Sequence, residues 1–292
     1  MGRDARFRRA SGYGGRVIRT TPIDPHGMLA LERHETDAHA IPSREVRDLG
    51  DALVLHDPRD HDPFWNRMAR VRWPADPAAF DRRLTEAMAL FVVLGRRPHV
   101  WPSPVHPEPA DLAERLVANG FEDIGGGHLM VLVDRQACGP VRTGEAGRGV
   151  VLQAIARSTD AGPTDADELA SVLVASFGVP SPRVPELATD VRLTLDDPRI
   201  VLAIARVEGV PASVAKVTSF DGHSYVSSVG TLPRFRGLGL AGLVTRHALA
   251  TAGTRDHHTV YLGVFSGNRP AQDLYGRLGF ASIGESPDLL LG

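Results

Sequence analysis

The residues best placed for chemistry lie between Ser227 and Ala250, where the chain runs Ser-Ser-Val-Gly-Thr-Leu-Pro-Arg-Phe-Arg-Gly-Leu-Gly-Leu-Ala-Gly before a helical stretch. Val226, Val229 and Leu232 give a β-strand its apolar content, and Pro233 ends it because proline cannot donate to a ladder. Arg234 to Gly239, with Arg236, Gly237 and Leu238 between, then form a glycine-rich turn that opens a helix marked by Leu240, Leu243, Val244, His247 and Ala248, with Ala241 in its first turn. Such a turn leaves unpaired amides aimed at one point, at the positive end of the helix dipole, which is the chemistry of phosphate binding. Glycine at 237 and 239 lets a phosphate approach without a Cβ clash, and Arg234, Arg236 and Arg269 supply charged donors. Further on, Asn268 opens another helix, on which Tyr275 sits. A phenol with a pKa near 10 holds a proton to give away at neutral pH.

The turn can be read in two ways. Gly237, Gly239 and Gly242 spell the dinucleotide pattern G-x-G-x-x-G, but its context disagrees. Pro-Arg-Phe-Arg separates the strand from the first glycine, and the next strand, Thr259 to Val264, ends on no carboxylate. The second reading starts from Arg236-x-x-Gly239-x-Ala241 after Val-Gly-Thr-Leu-Pro, with Asn268, Ala271, Leu274, Tyr275 and Leu278-Gly279-Phe280 downstream. Together and in this order these resemble the two signatures of the GNAT acetyltransferase superfamily, over roughly residues 150–292.

That resemblance implies acetyl-CoA as acyl donor, with its pyrophosphate on the amides of residues 236–241. Val229, Gly230 and Thr231 are then the pantetheine edge, Asn268 a further pantetheine contact, and Tyr275 the general acid. It implies a primary amine as acceptor, in a small molecule or a protein, and direct transfer in a ternary complex. The superfamily's usual glutamate on the strand before the turn is missing; Ser227 and Ser228 stand there. The base is left unassigned among Glu186, Asp190, a carboxylate from the N-terminal half or, last, the terminal carboxylate of Gly292. The missing glutamate also motivates an alternative, a non-catalytic acyl-CoA-binding sensor.

The elements around these residues give an α/β (α+β) chain of two mixed-sheet domains. Residues 1–43 read as a flexible N-terminal segment, with six arginines between Arg3 and Arg19 and a polar surface stretch carrying His34 and His39. Residues 44–134 read as strand, strand, the helix Asp76 to Leu94, a short strand, the helix Pro109 to Asn119, and a hairpin around Gly125-Gly-Gly127. Leu116-x-x-x-Gly120-Phe121 echoes Leu274-x-x-x-x-Gly279-Phe280. The N-terminal unit is therefore expected to be a degenerate, incomplete GNAT-like copy without a pyrophosphate turn, as in tandem members of the superfamily such as the mycothiol synthase layout. Residues 135–149 read as a mobile linker, and 150–292 as the catalytic domain.

Bulk properties narrow the field. A formal net charge of −2 argues against bulk affinity for nucleic acid or membranes. No apolar run is long enough to cross a bilayer and no signal peptide is visible. Cys138 is the single cysteine, so no intrachain disulfide or cysteine metal cluster forms. The expectations are a cytoplasmic monomer or homodimer, with acetyl-CoA and an amine as partners and no metal.

Overall fold

The computed structural model describes residues 23–292 except 163, 180, 255, 256 and 258. The arginine-bearing tail expected over 1–22 lies outside the described residues. The polar surface stretch expected after it is instead a helix, α1 (Pro25–Ala40). Asp24 caps it by accepting from the Gly27 amide at 2.7 Å, and Pro25 fills the first helical position. Met28, Leu31 and Ala38 are buried on one face. Each large side chain so buried contributes about 1.5–3 kcal/mol, which holds a largely polar helix against the body.

Two sheets follow. The first, six-stranded, has the order β1 (Glu45–Asp48), β2 (Leu53–His56), β3 (Arg67–Ala69), β4 (His99–Val100), β13 (Leu289–Leu291), β5 (Phe121–Asp123). It packs on α2 (Pro77–Val93) and α3 (Leu112–Ala118) around Val54, Met68, Phe80, Leu84, Phe91 and Leu116. The second, seven-stranded, has the order β12 (Phe280–Ser286), β6 (Gly127–Leu132), β11 (Thr259–Phe265), β10 (His223–Thr231), β9 (Val210–Phe220), β8 (Ile200–Val207), β7 (Val150–Ile155).

The two sheets exchange strands. β5 and β6 do not form the expected hairpin. β6 leaves the first sheet to lie between β11 and β12, while β13 leaves the second to lie between β4 and β5. The parallel pair β3·β4 in one sheet answers the parallel pair β10·β11 in the other. Each half thus fills the same slot with the other half's last strand, so neither 44–134 nor 150–292 completes its own sheet. Gly126 and Gly127 sit at the crossing. A Cβ on Gly126 would lie 2.0 Å from the Ser286 carbonyl oxygen, and one on Gly127 2.8 Å from that of Val264.

Side-chain alternation divides the second sheet into two faces. Val226, Val260, Leu262 and Val264 pack under α6 (Leu240–Thr251) and α7 (Arg269–Arg277). Leu202, Ile204 and Val214 pack under α4 (Asp165–Phe177) and α5 (Val184–Thr194), and Tyr225 and Tyr261 pack under α1. The segment 135–149, expected to be mobile, is fastened to α6. Arg246 donates to the carbonyls of Gly139 at 2.6 Å and Pro140 at 2.8 Å and pairs with Glu145. Among the described residues no helix is long and apolar enough to cross a membrane.

Candidate active site

The central strands β10 and β11 pair only as far as Val226↔Leu262. Beyond that point β10 continues against β9, β11 continues against β6, and the two part. The cause is a β-bulge: register shifts between Ser227 and Gly230, and Ser228 takes a left-handed φ of 53°. An extra residue bends and twists the strand that carries it. The wedge so opened leaves one edge of residues 227–231 without a ladder partner among the described residues and joins the two faces of the sheet.

At the end of β10 lies the glycine turn. Gly237 (φ 81°) and Gly239 (φ 75°) adopt conformations that disfavour a side chain. The Arg236 amide donates to the Pro233 carbonyl at 3.2 Å, which removes it from the expected phosphate donors. The amides of Gly237, Leu238, Gly239, Leu240 and Ala241 have no partner among the described residues. They stand at the N-terminus of α6, so the donor set fits a diphosphate. The Arg236 side chain donates to the carbonyls of Thr231 and Ser176, each at 3.2 Å, bracing the turn against β10 and α4. Arg234 lies over the Phe235 ring and Arg269 donates to Gln272 at 3.2 Å. Gly230 is required by packing as well, since a Cβ there would meet Ser176 at 2.9 Å.

The wedge opens into a cavity of about 570 Å³. Of the residues singled out from sequence, Val229, Asn268 and Tyr275 line it, together with Ser227 and Ser228. Gly230, Thr231 and the turn do not; they continue from it along β10 to the surface. Asn268 is the N-cap of α7, accepting from the Ala271 amide at 3.2 Å. Tyr275 is 7% exposed, and burial pushes its phenol well above the ordinary value. Its hydroxyl has no hydrogen-bond partner among the described residues. Ser227 Oγ is likewise buried without one.

The opposite wall comes from α1, which the sequence reading placed on the surface. Glu32, Glu35 and His39, at helical spacing i, i+3, i+7, face the cavity. Burial raises the Glu35 carboxyl above its ordinary value even though Arg67 and a hydrogen bond from Tyr225 oppose the shift. Gly263 on β11 borders this pair: a Cβ there would lie at ordinary contact distance, 3.8 Å from Tyr225 Oη and 4.0 Å from Glu35 Oε1. Glu32 is paired with Arg72 at 3.0 Å. His39 Nδ1 accepts from Arg67 at 2.6 Å, because a guanidinium can only donate, so the ring proton is on Nε2. Burial and the Arg67 charge keep this imidazole neutral. The Arg67 guanidinium, 3.7 Å above the Trp101 ring, is lowered to about 10 by the same burial.

The carboxylates weighed from sequence on α5 are elsewhere. Glu186 is exposed, and Asp190 is held by Arg44 at 3.2 Å and Arg59 at 3.3 Å; neither lines the cavity. Cys138 is packed beside the core, and burial pushes its thiol up to about 11, so it carries little thiolate. Among the described residues no three histidine, cysteine or carboxylate side chains converge as metal ligands.

These features can be set beside known proteins. The acetyltransferase (GNAT) family pattern matches residues 166–280. An uncharacterized N-acetyltransferase of Mycobacterium tuberculosis is 33% identical over 132 residues, 40% of this chain and 83% of that protein. The chain belongs to the GNAT acetyltransferase family. As a GNAT acetyltransferase it also has solved structural relatives over nearly its full length. A GCN5-related N-acetyltransferase from Kribbella flavida superposes with a TM-score of 0.66 at 20% identity, covering 90% of this chain and 95% of that one. A tandem GNAT protein from the clavulanic acid biosynthesis pathway gives 0.59 at 13% identity, covering 93% and 90%. The shared fold therefore includes both sheets, whereas the family match stops short of α1, β6 and β13.

Proposed function

We propose that this GNAT acetyltransferase uses acetyl-CoA to acetylate a primary amine by direct transfer. The observation that carries the reading is the wedge between β10 and β11. Free amides at its outer end suit the diphosphate, the unpaired edge of β10 suits the pantetheine arm, and the cavity at its root has Glu35 on one side and Tyr275 on the other. The donor enters with its thioester beside the bulge at Ser227–Gly230, where strand amides can receive the charge that gathers on the carbonyl oxygen.

An amine must lose a proton to attack. Glu35 is a carboxylate whose raised pKa brings it closer to that task, and Tyr225 orients it. The nitrogen forms its bond to the acetyl carbon as the carbon–sulfur bond breaks. The amine proton passes to Glu35, and the departing thiolate takes its proton from Tyr275. Holding both reactants in one cavity supplies much of the rate. The reading of this chain as a non-catalytic acyl-CoA sensor drew on the missing glutamate of β10; Glu35 offers a base from a different element.

The test is release of coenzyme A thiol from acetyl-CoA with a panel of primary amines, alongside thermal melting with acetyl-CoA and with NAD. Amine-dependent thiol release and stabilisation by acetyl-CoA alone are expected. Stabilisation without turnover of any amine would favour the sensor.

A further inference from the structure

Lys216 is the chain's one lysine, although lysine and arginine together number 33. It lies on β9 directly across from Ser227 and diagonal to Tyr225 on the same face of the sheet, a separation of roughly 7–8 Å between Cα atoms. It therefore lines the same cavity as Glu35.

The neighbouring cations are committed. Arg44 pairs with Asp57 at 3.0 Å and with Asp190 at 3.2 Å. Arg183 pairs with Asp60, and Arg72 with Glu32 at 3.0 Å. Arg67 donates to His39 and to the Phe64 carbonyl. The Lys216 ammonium has no hydrogen bond or ion pair among the described residues. Burial and then the Arg44 charge bring it down to about 8, with Asp190 pulling the other way. It is still mainly a cation at pH 7. The side chain is half-buried and borders the cavity, so the ammonium can take its partner from a ligand bound there.

We propose that Lys216 anchors a carboxylate of the acceptor, so that the molecule acetylated here is an amino-acid-like amine with an apolar body. This rests on the reading of the cavity as the acceptor site of an acetyl transfer. One free ammonium suits a carboxylate; phosphate is usually met by several amides or cations. The apolar body fits the wall formed by Phe64, Trp65, Trp101, Phe177 and Leu187. With the carboxylate on Lys216, the amine is directed toward Glu35 and the bulge.

The experiment compares amines with and without the carboxylate, phenylalanine against phenethylamine and leucine against isoamylamine, by thiol release. Binding of the products N-acetylphenylalanine and N-acetylphenethylamine is measured by calorimetry, which does not depend on turnover. A charge-assisted contact predicts a preference of about tenfold or more for the carboxylate-bearing member in either readout. Lys216→Met should abolish that preference and Lys216→Arg should keep part of it, while both variants melt at higher temperature with acetyl-CoA as the parent does. Equal use and binding of the carboxylate-free members by the parent, an undiminished preference in Lys216→Met, or acetylation of Lys216 itself in the intact mass would each overturn the proposal. Loss of acetyl-CoA stabilisation in the parent would instead overturn the underlying reading of the site.

Discussion

The hydroxyl of Tyr225, on the central strand β10, faces the carboxylate of Glu35, on the helix that precedes both sheets, the two meeting over Gly263 of β11. A residue far outside the family's matched span thus stands at the root of the wedge, in the place left by the serines on β10. If Glu35 takes the amine proton, Glu35→Gln should lower kcat/KM by about 10²–10⁴ with acetyl-CoA affinity unchanged. Steady-state thiol release and calorimetry would measure the two effects separately. A variant as active as its parent would remove Glu35 from the reaction.

The same carboxyl predicts two pH dependences. Its folded pKa is raised, so the fold favours the protonated form. That contribution is fully present below the unfolded pKa and is lost as pH rises through the folded value. Glutamine mimics the protonated group. Glu35→Gln should therefore melt at or above the parent's temperature at pH 8, with the difference closing near pH 4. Activity runs the other way, since a base must be ionised: kcat/KM of the parent should fall as pH drops through the raised carboxyl pKa. Melting curves and rate profiles over pH 4 to 9 test both signs, and a lower melting temperature of the variant at pH 8 would contradict the first.

Tyr275 approaches the cavity from the other face of the sheet, on the inner side of α7, and reaches it where β10 and β11 have parted. Its hydroxyl makes no hydrogen bond among the described residues, and its ring packs edge-on against Phe280 at 5.9 Å. Tyr275→Phe keeps that packing and should leave stability and acetyl-CoA affinity alone while turnover falls, by about 10² or more. Unchanged turnover would refute the role as proton donor.

The glycine turn allows a cleaner separation of stability from binding. A Cβ at Gly239 meets no atom within 4 Å, so its φ of 75° is the only intrinsic obstacle to a side chain. Gly239→Ala should cost about 1–2 kcal/mol, the strain of a left-handed alanine. If the turn relaxes to escape that strain, regaining the amide cradle on binding costs the same amount, about tenfold in acetyl-CoA affinity. Melting and calorimetry on one preparation would show which state bears the strain. An unchanged affinity together with unchanged stability would mean that the turn tolerates a side chain and does not shape the donor site.

Local pattern carried much of this architecture. The strands from Val150 to Phe265, the caps at Asp76 and Asn268 and the turn at Gly237–Gly239 were all readable, because alternation, capping residues and glycines act over a few positions. α1 was not, although Asp24-Pro25 is a start signal and Glu32, Glu35 and His39 share a face. Its inner surface is charged because it borders a cavity, and so it reads as solvated. The arginine Arg236 shows the reverse: its type suggested a phosphate partner, whereas its neighbours in space make it a brace. The strand exchange left no local trace either. Gly125-Gly126-Gly127 has the composition of a hairpin, and only pairing over long sequence separation distinguishes a turn from a crossing.

That crossing yields a prediction about cooperativity. Among the described residues β6 is the only strand joining β11 to β12, and β13 the only one joining β4 to β5. A fragment covering 150–292 would expose both flanks of the β6 slot, unpaired amides and apolar surface included, at a cost that single-domain stability of about 5–15 kcal/mol cannot absorb. The two halves should accordingly unfold together, in one transition by both near-ultraviolet circular dichroism and calorimetry, and neither half should fold alone. Gly126→Ala should lower that single transition, since its Cβ would sit 2.0 Å from the Ser286 carbonyl oxygen and push apart the strands that lace the sheets. Two separate transitions in the intact chain, or a soluble 150–292 fragment with full acetyl-CoA binding, would show that the exchanged strands are dispensable to the fold.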